Sequence, residues 1–384
     1  MSAPLGKLFV IPITKEAIKE YVAKEMTHSR RGSADYPGLK LGFVGVNGRT
    51  GLQHRQIYSE FFFYDRIQEF KEPMLKIAQE KLKILIGQHK ISAEKFTEID
   101  MRGMIREVML AWLSLVVFGC KDESELDVDL TAPDCAGIRD QFFVTQDLKG
   151  VKKIGLAHLV EMLVASSMFT MQDPVNSLLF NIPAKLGLGK MWKSHYALRD
   201  VVDAKIMEFW FKRKAESESS QSQQNEPRNI IDCIINHNQK CGAMGTEQDM
   251  LKPQEIIGDV IAFLFAGIDT STQTSITSLC YLTGKFPEWV QKIRKEGLGN
   301  LNEIFGNQTM HACVSEITRM WGPVIHTFLR EVTTEFTITG VKIPIGTQMI
   351  CPLNIGSRQG HWADAHEFKP ERWEGNEFGG VDRT

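Results

Sequence analysis

Apolar residues recur three and four positions apart along most of the chain, from residue 14 to about residue 320, whereas strict alternation appears only near the two ends. The first spacing lines one face of a helix and the second one face of a strand, so the pattern predicts a mainly α protein with a small antiparallel β region. Residues 7–14 (KLFVIPIT) read as a strand and 15–23 (KEAIKEYVA) as an amphipathic helix. Residues 29–51, rich in Gly, Ser and basic side chains, read as a long loop. Helices are predicted over 52–70, 72–88, 101–118, 137–148, 158–168 and 191–214. The polar run 215–227 (AESESSQSQQNEP) has almost nothing to bury and is expected to be a surface loop, not a domain boundary.

The longest helical segment is 253–284, with Pro253 in its first turn and Gly284 at its end. It measures roughly 48 Å at about 1.5 Å per residue, enough to cross a whole domain. A short helix over 315–321 follows. Alternating apolar residues over 330–352, around turns at Gly340 and Gly346, then predict the small antiparallel sheet.

Composition narrows the classes. With 43% hydrophobic and 24% charged residues the 384-residue chain is globular, and a chain of that length buries roughly three quarters of its unfolded surface. A single domain over 1–384 that encloses a cofactor is therefore expected. Forty-five basic residues against 47 acidic ones leave a net charge of −2 and no electrostatic case for nucleic acid. Seven cysteines without a C-x-x-C pair support neither a disulfide framework nor a zinc ribbon, and point to a reducing compartment. The first residues carry no signal-peptide pattern, and the longest apolar run, 108–120, is too short for a transmembrane segment.

The chemistry gathers in the middle of the long helix, at FLFAGIDTST over 263–272. A carboxylate there, Asp269, is costly to bury unless it gains partners or water. Ala266 and Gly267 are small enough for a flat ligand to approach the helix, and Asp269 beside Thr270 forms a candidate proton relay. The plainer alternative has Thr270 bonding to the preceding turn and Asp269 facing solvent. Further on, Glu316 and Arg319 share a helix face. Such a pair on a surface helix contributes under about 1 kcal/mol. The later segment FKPERW, 368–373, can bring Arg372 to the same carboxylate.

Taken together, these segments resemble the cytochrome P450 superfamily of haem-thiolate monooxygenases over nearly the whole chain. AGIDT at 266–270 is similar to the family's oxygen-activation motif, EITR at 316–319 to its E-x-x-R, and PERW at 370–373 to its P-E-R-F element. The resemblance implies a buried triad of Glu316, Arg319 and Arg372. It implies that Arg55, from a W-x-x-x-R helix in which Gly51 replaces the tryptophan, holds one haem propionate with help from His54. Arg330 is then expected to hold the other, with Val324, Ile325, His326 and Thr327 lining the substrate pocket.

The implied activity is insertion of one oxygen atom from dioxygen into an apolar organic substrate. Asp269 and Thr270 deliver protons, Ala266 and Gly267 form the oxygen groove, haem b is the cofactor, and electrons come from NAD(P)H through NADPH-cytochrome P450 reductase or another redox partner. The family's glycine-rich loop F-x-x-G-x-R-x-C-x-G, source of the axial thiolate, has no match before Thr384, and none of the seven cysteines sits in such a loop. The expectation is a sequence incomplete at both ends, without the N-terminal anchor region, the axial-cysteine metal ligand or the last helix. These 384 residues alone are then expected to be inactive and not to hold haem through a thiolate. Two alternatives stand beside this reading. One is a haem-free remnant that acts as a binding protein or has no function. The other, within the family, is a peroxide isomerase or dehydratase, against which the retained acid and alcohol argue. An N-terminal anchor would place the full-length protein at the endoplasmic reticulum membrane; without one it would be cytoplasmic.

Overall fold

In a computed structural model the described residues are 8–31, 42–59, 61–89, 100–135, 138, 150–171, 186–219, 227–327, 329–358 and 362–374. The chain is mainly helical with small β-sheets. It divides into two compact units, one of Met1–Gly32, Leu82–Arg106 and Asp269–Thr384, the other of Ser33–Lys81 and Glu107–Ile268.

The first unit holds the larger sheet. Strands β1 (Phe9–Val10) and β2 (Ser29–Arg31) flank helix α1 (Lys15–His28) in the chain. Four more strands, here numbered in chain order after β3 and β4 of the other unit, are β5 (Arg330–Val332), β6 (Phe336–Ile338), β7 (Val341–Ile343) and β8 (Gln348–Met349). The sheet runs β1-β8-β5-β2, with β1 parallel to β8 and the other pairings antiparallel. It is therefore mixed, not purely antiparallel as expected, because the N-terminal strand adds to its edge. The segment expected to be loop from 29 likewise starts as β2. Strands β6 and β7 form a hairpin whose turn, Thr339 (φ 45) and Gly340 (φ 80), has the two left-handed residues that match strand twist. Tyr21 and Ala17 of α1 pack with Val332, Phe336, Ile338, Ile343, Met349 and Cys351 in the core between sheet and helix.

The second unit has the larger core. Its elements are α2 (Gly48–Ser59), α3 (Tyr64–Glu69), β3 (Asp127–Asp129), β4 (Lys153–Gly155), α6 (Leu156–Met171), α7 (Gly189–Ser219) and α8 (Ile230–Ala243). Between α3 and α6, α4 (Lys71–His89) and α5 (Met101–Leu113) contribute residues to both units. So does α9 (Pro253–Gly284), whose bounds match the expected ones. The helix expected over 52–70 is two helices. Phe61 turns inward against Phe70, ring centroids 5.7 Å apart, while Phe62 stacks on Phe263 at 5.9 Å, and Phe63 is extended. Helix α5 continues into one π-helical turn, Ser114–Phe118, closed by left-handed Gly119 (φ 75).

Helix α7 runs to Ser219, five residues into the expected 215–227 loop. Ion pairs Arg213–Glu216 (2.8 Å) and Lys214–Glu218 (3.8 Å) support its last turns. Residues 220–226 and nearly all of the predicted 137–148 helix lie outside the described residues. Among the described residues, no helix is long and apolar enough to cross a membrane.

Candidate active site

Glu316 and Arg319 lie on α12 (Gln308–Trp321), which follows α10 (Pro287–Glu296) and α11 (Leu301–Gly306) in the first unit. Apolar residues of α12 pack into a small core with Trp289 and Ile293, and this places Glu316 on the buried face. The carboxylate is fully buried and accepts five hydrogen bonds. Arg319 Nε donates to Oε2 and Nη2 to Oε1, both at 2.8 Å. The Lys369 amide (2.9 Å) and Arg372 Nε (3.1 Å) also reach Oε1, and the Trp373 indole N–H reaches Oε2 at 2.9 Å. The three residues expected to form a triad are thus brought together. The Trp373 contact went unforeseen, although that residue stands in the PERW segment. Burial alone would raise the Glu316 pKa, but the bonds from Arg319, the Lys369 amide and Trp373 outweigh it and hold the carboxyl below its ordinary value.

The arginines tie more than the carboxylate. Arg319 Nη1 donates to the carbonyls of Ser357 (2.9 Å) and Ala365 (2.8 Å), and Nη2 to that of Glu367 (3.2 Å). Arg372 Nη2 donates to the Asp364 carbonyl at 2.8 Å. One buried anion thereby helps to organise residues 362–367, which form neither strand nor helix. The sign of its pH dependence follows from the lowered pKa. Its stabilisation is present above the ordinary carboxylate range and is lost as pH falls through that range toward the folded-state value. Acidification should therefore lower the melting temperature of the wild type more steeply than that of Glu316→Gln. Equal slopes in thermal melts at several pH values would remove Glu316 as a source of acid sensitivity.

On α9 the small residues point two ways. Ala266 is exposed, but a Cβ added at Gly267 would meet Leu113 Cδ2 of α5 at 2.6 Å. The bare face of Gly267 is filled by a neighbouring helix, so the expected two-residue groove is corrected to an opening at Ala266 alone. Asp269 is exposed, as in the plainer of the two readings of this segment, and Thr270 is half-buried. Positions 266, 269, 270 and 273 lie on one helix side by their spacing, and three of them are exposed. Thr274 Oγ1 donates to the Thr270 carbonyl at 2.9 Å.

The other expected residues divide between the units. In the second unit, Arg55 on α2 is half-buried, with no ion pair among the described residues. His54 does not face outward to a carboxylate ligand as expected. It is fully buried, with Nδ1 donating to Asp259 at 2.9 Å and Nε2 4.0 Å from Glu255. In the first unit, Arg330 is buried on β5. The segment Val324 to Thr327 runs along residues 351–353: the Thr327 amide donates to the Cys351 carbonyl (2.8 Å) and the Leu353 amide to that of Ile325 (3.0 Å). Val324 is 49% and Ile325 55% exposed, with Leu353 at 43%. These exposed apolar side chains, with the adjoining His326, give the first unit a surface that suits contact with an apolar ligand. A sulfur ligand is less well provided. Six of the cysteines are buried, and burial pushes the thiols of Cys120 and Cys313 up to about 12; only Cys280, on α9, is exposed.

Comparisons with known proteins bear on the family and the fold. The family model Cytochrome P450 matches residues 5–381. The chain is 24% identical over 351 residues to 11-oxo-beta-amyrin 30-oxidase of Medicago truncatula, covering 87% of this chain and 58% of that protein. It is 30% identical over 158 residues to 7-deoxyloganic acid hydroxylase of Catharanthus roseus, covering 38% of this chain and 29% of the relative. The chain thus spans little more than half the length of the first of these relatives and less than a third of the second. Among solved structures, retinoic acid bound cyanobacterial CYP120A1 superposes with a TM-score of 0.68 at 17% identity, over 96% of this chain and 72% of that one. The cytochrome P450 CYP102L1 gives a TM-score of 0.68 at 15% identity, over 95% of this chain and 76% of that one. A family match across almost every residue, the fold, and a buried glutamate held by both motif arginines lead to one conclusion: the chain belongs to the cytochrome P450 family.

Proposed function

We propose that the chain carries the porphyrin-holding and proton-handling residues of a monooxygenase that inserts one oxygen atom from dioxygen into an apolar organic substrate. The observation that carries this reading is the Glu316 centre, which gives the family's core lock its full set of partners. Arg55 and Arg330 bind the two carboxylates of haem b by charge-assisted hydrogen bonds. Val324, Ile325, His326 and Thr327 shape the substrate pocket, and the exposed apolar atoms of Val324 and Ile325 exclude water from it once a ligand is seated. Asp269 takes protons from solvent, which its exposure allows, and the Thr270 hydroxyl beside it passes them inward. Haem, when bound, supplies the redox iron for dioxygen activation, with electrons from a reductase. The acid and alcohol of α9 favour this over a peroxide rearrangement, which needs no external protons.

Haem uptake tests the reading. Titration with ferric haem should saturate at about one equivalent per chain, and Arg330→Ala should weaken binding roughly tenfold, the value of one charge-assisted pair. A wild-type chain that takes up no haem, or takes it up unaltered by both Arg330→Ala and Arg55→Gln, would overturn the assignment of the two arginines.

A further inference from the structure

Asp259, in the first third of α9, is fully buried. Its carboxylate accepts the Phe43 amide at 2.5 Å, His54 Nδ1–H at 2.9 Å from each oxygen, and the Tyr58 hydroxyl. Burial, and then the Asp259 charge, push the Tyr58 pKa well above its ordinary value, so the phenol remains a donor. His54 and Tyr58 are four apart on α2 and share one face. Arg55, one residue on from His54, is turned about 100° round the helix, away from the carboxylate.

The loop that leads into α2 is held by the same group. A Cβ at Gly42 would lie 2.3 Å from the Gly258 carbonyl oxygen, so the loop backbone rests directly on α9, and Phe43, next in the chain, donates its amide to Asp259. One anion therefore fixes the start of the loop and two positions on the helix behind Arg55. Apolar packing such as Tyr58 edge-on to Phe263 (4.8 Å) would hold α2 against α9 without a costly buried charge. What the charge adds is a single register, the best-attested use of buried polar groups.

We propose that Asp259 is a positioning residue that, through His54, Tyr58 and the Phe43 amide, aims Arg55 at a carboxylate of the bound porphyrin. This rests on the haem reading above and extends it to residues that touch no cofactor. The test uses the whole chain and metal-free protoporphyrin IX, followed by tryptophan quenching, with the porphyrin dimethyl ester as the uncharged control. Arg55→Gln is expected to weaken protoporphyrin binding roughly tenfold and Asp259→Asn by a similar factor, while the double variant binds no more weakly than Arg55→Gln alone. The ester should bind wild type and Asp259→Asn alike. Tyr58→Phe removes one of the bonds but keeps the charge, is expected to give about a threefold loss, and carries the same acid-against-ester comparison should Asp259→Asn not fold. Equal losses with acid and ester, or additive losses in the double variant, overturn the inference and leave the haem reading standing. A wild-type chain that binds neither porphyrin overturns both.

Discussion

Glu316→Ala is expected to destabilise the first unit by about 3–5 kcal/mol, because it leaves the buried Arg319 and the half-buried Arg372 without their counter-charge. Against a typical total of about 5–15 kcal/mol, this is enough to lower the melting temperature by roughly 10 °C. The usual remedy for a broken buried ion pair is to make the whole cluster apolar, which is often neutral or stabilising. Here it should fail. Arg319 also donates to the carbonyls of Ser357, Ala365 and Glu367, so leucine there would remove a donor from all three, while leucine in place of Arg372 would leave the Asp364 carbonyl with the Glu367 amide alone. The triple variant Glu316→Leu, Arg319→Leu, Arg372→Leu is therefore expected to be no more stable than Glu316→Ala. Thermal and urea unfolding of the two decide the matter, and a triple variant restored to wild-type stability would show that the arginines serve the carboxylate alone.

What could be read in advance depended on where the determining contact lay. The bounds of α9 were legible because Pro253 and Gly284 are local signals that act on their own turns. The Glu316 centre was legible because two short motifs, EITR and PERW, name its charged members. Helix α8 was missed although a signal was present: Asn229 caps it, accepting the Asp232 amide at 2.9 Å, just before a run of isoleucines. The parallel pairing of β1 with β8 had no such signal, since Phe9 meets Gln348 only through tertiary structure. His54 was misplaced for the same reason, its partner Asp259 being 205 residues away. Gly267 shows a further limit: sequence says which residues are small, but not whether the space beside them is left open or filled by a neighbour such as Leu113.

That distinction makes Gly42 the more sensitive glycine. At Gly267 an alanine methyl meets the end of the Leu113 side chain, which can change rotamer, and the helix itself gains about 1 kcal/mol when Gly becomes Ala. Gly267→Ala should therefore lie within about 1 kcal/mol of wild type. At Gly42 the methyl would lie 2.3 Å from the Gly258 carbonyl oxygen and 2.9 Å from the Asp259 amide nitrogen, both backbone atoms of α9. Neither can yield without moving a helix, so the loop must lift and stretch the Phe43 amide away from the Asp259 carboxylate. Overpacking costs about 1–3 kcal/mol, and the weakened bond to a charged acceptor adds to it, so Gly42→Ala is expected to cost about 3 kcal/mol or more. Hydrogen exchange should show the Phe43 amide losing protection, with the early turns of α2 following, while the sheet of the first unit stays as protected as before. Unfolding free energies for the two alanine variants that agree within about 1 kcal/mol would mean that the loop at Gly42 does not rest on α9 as closely as described.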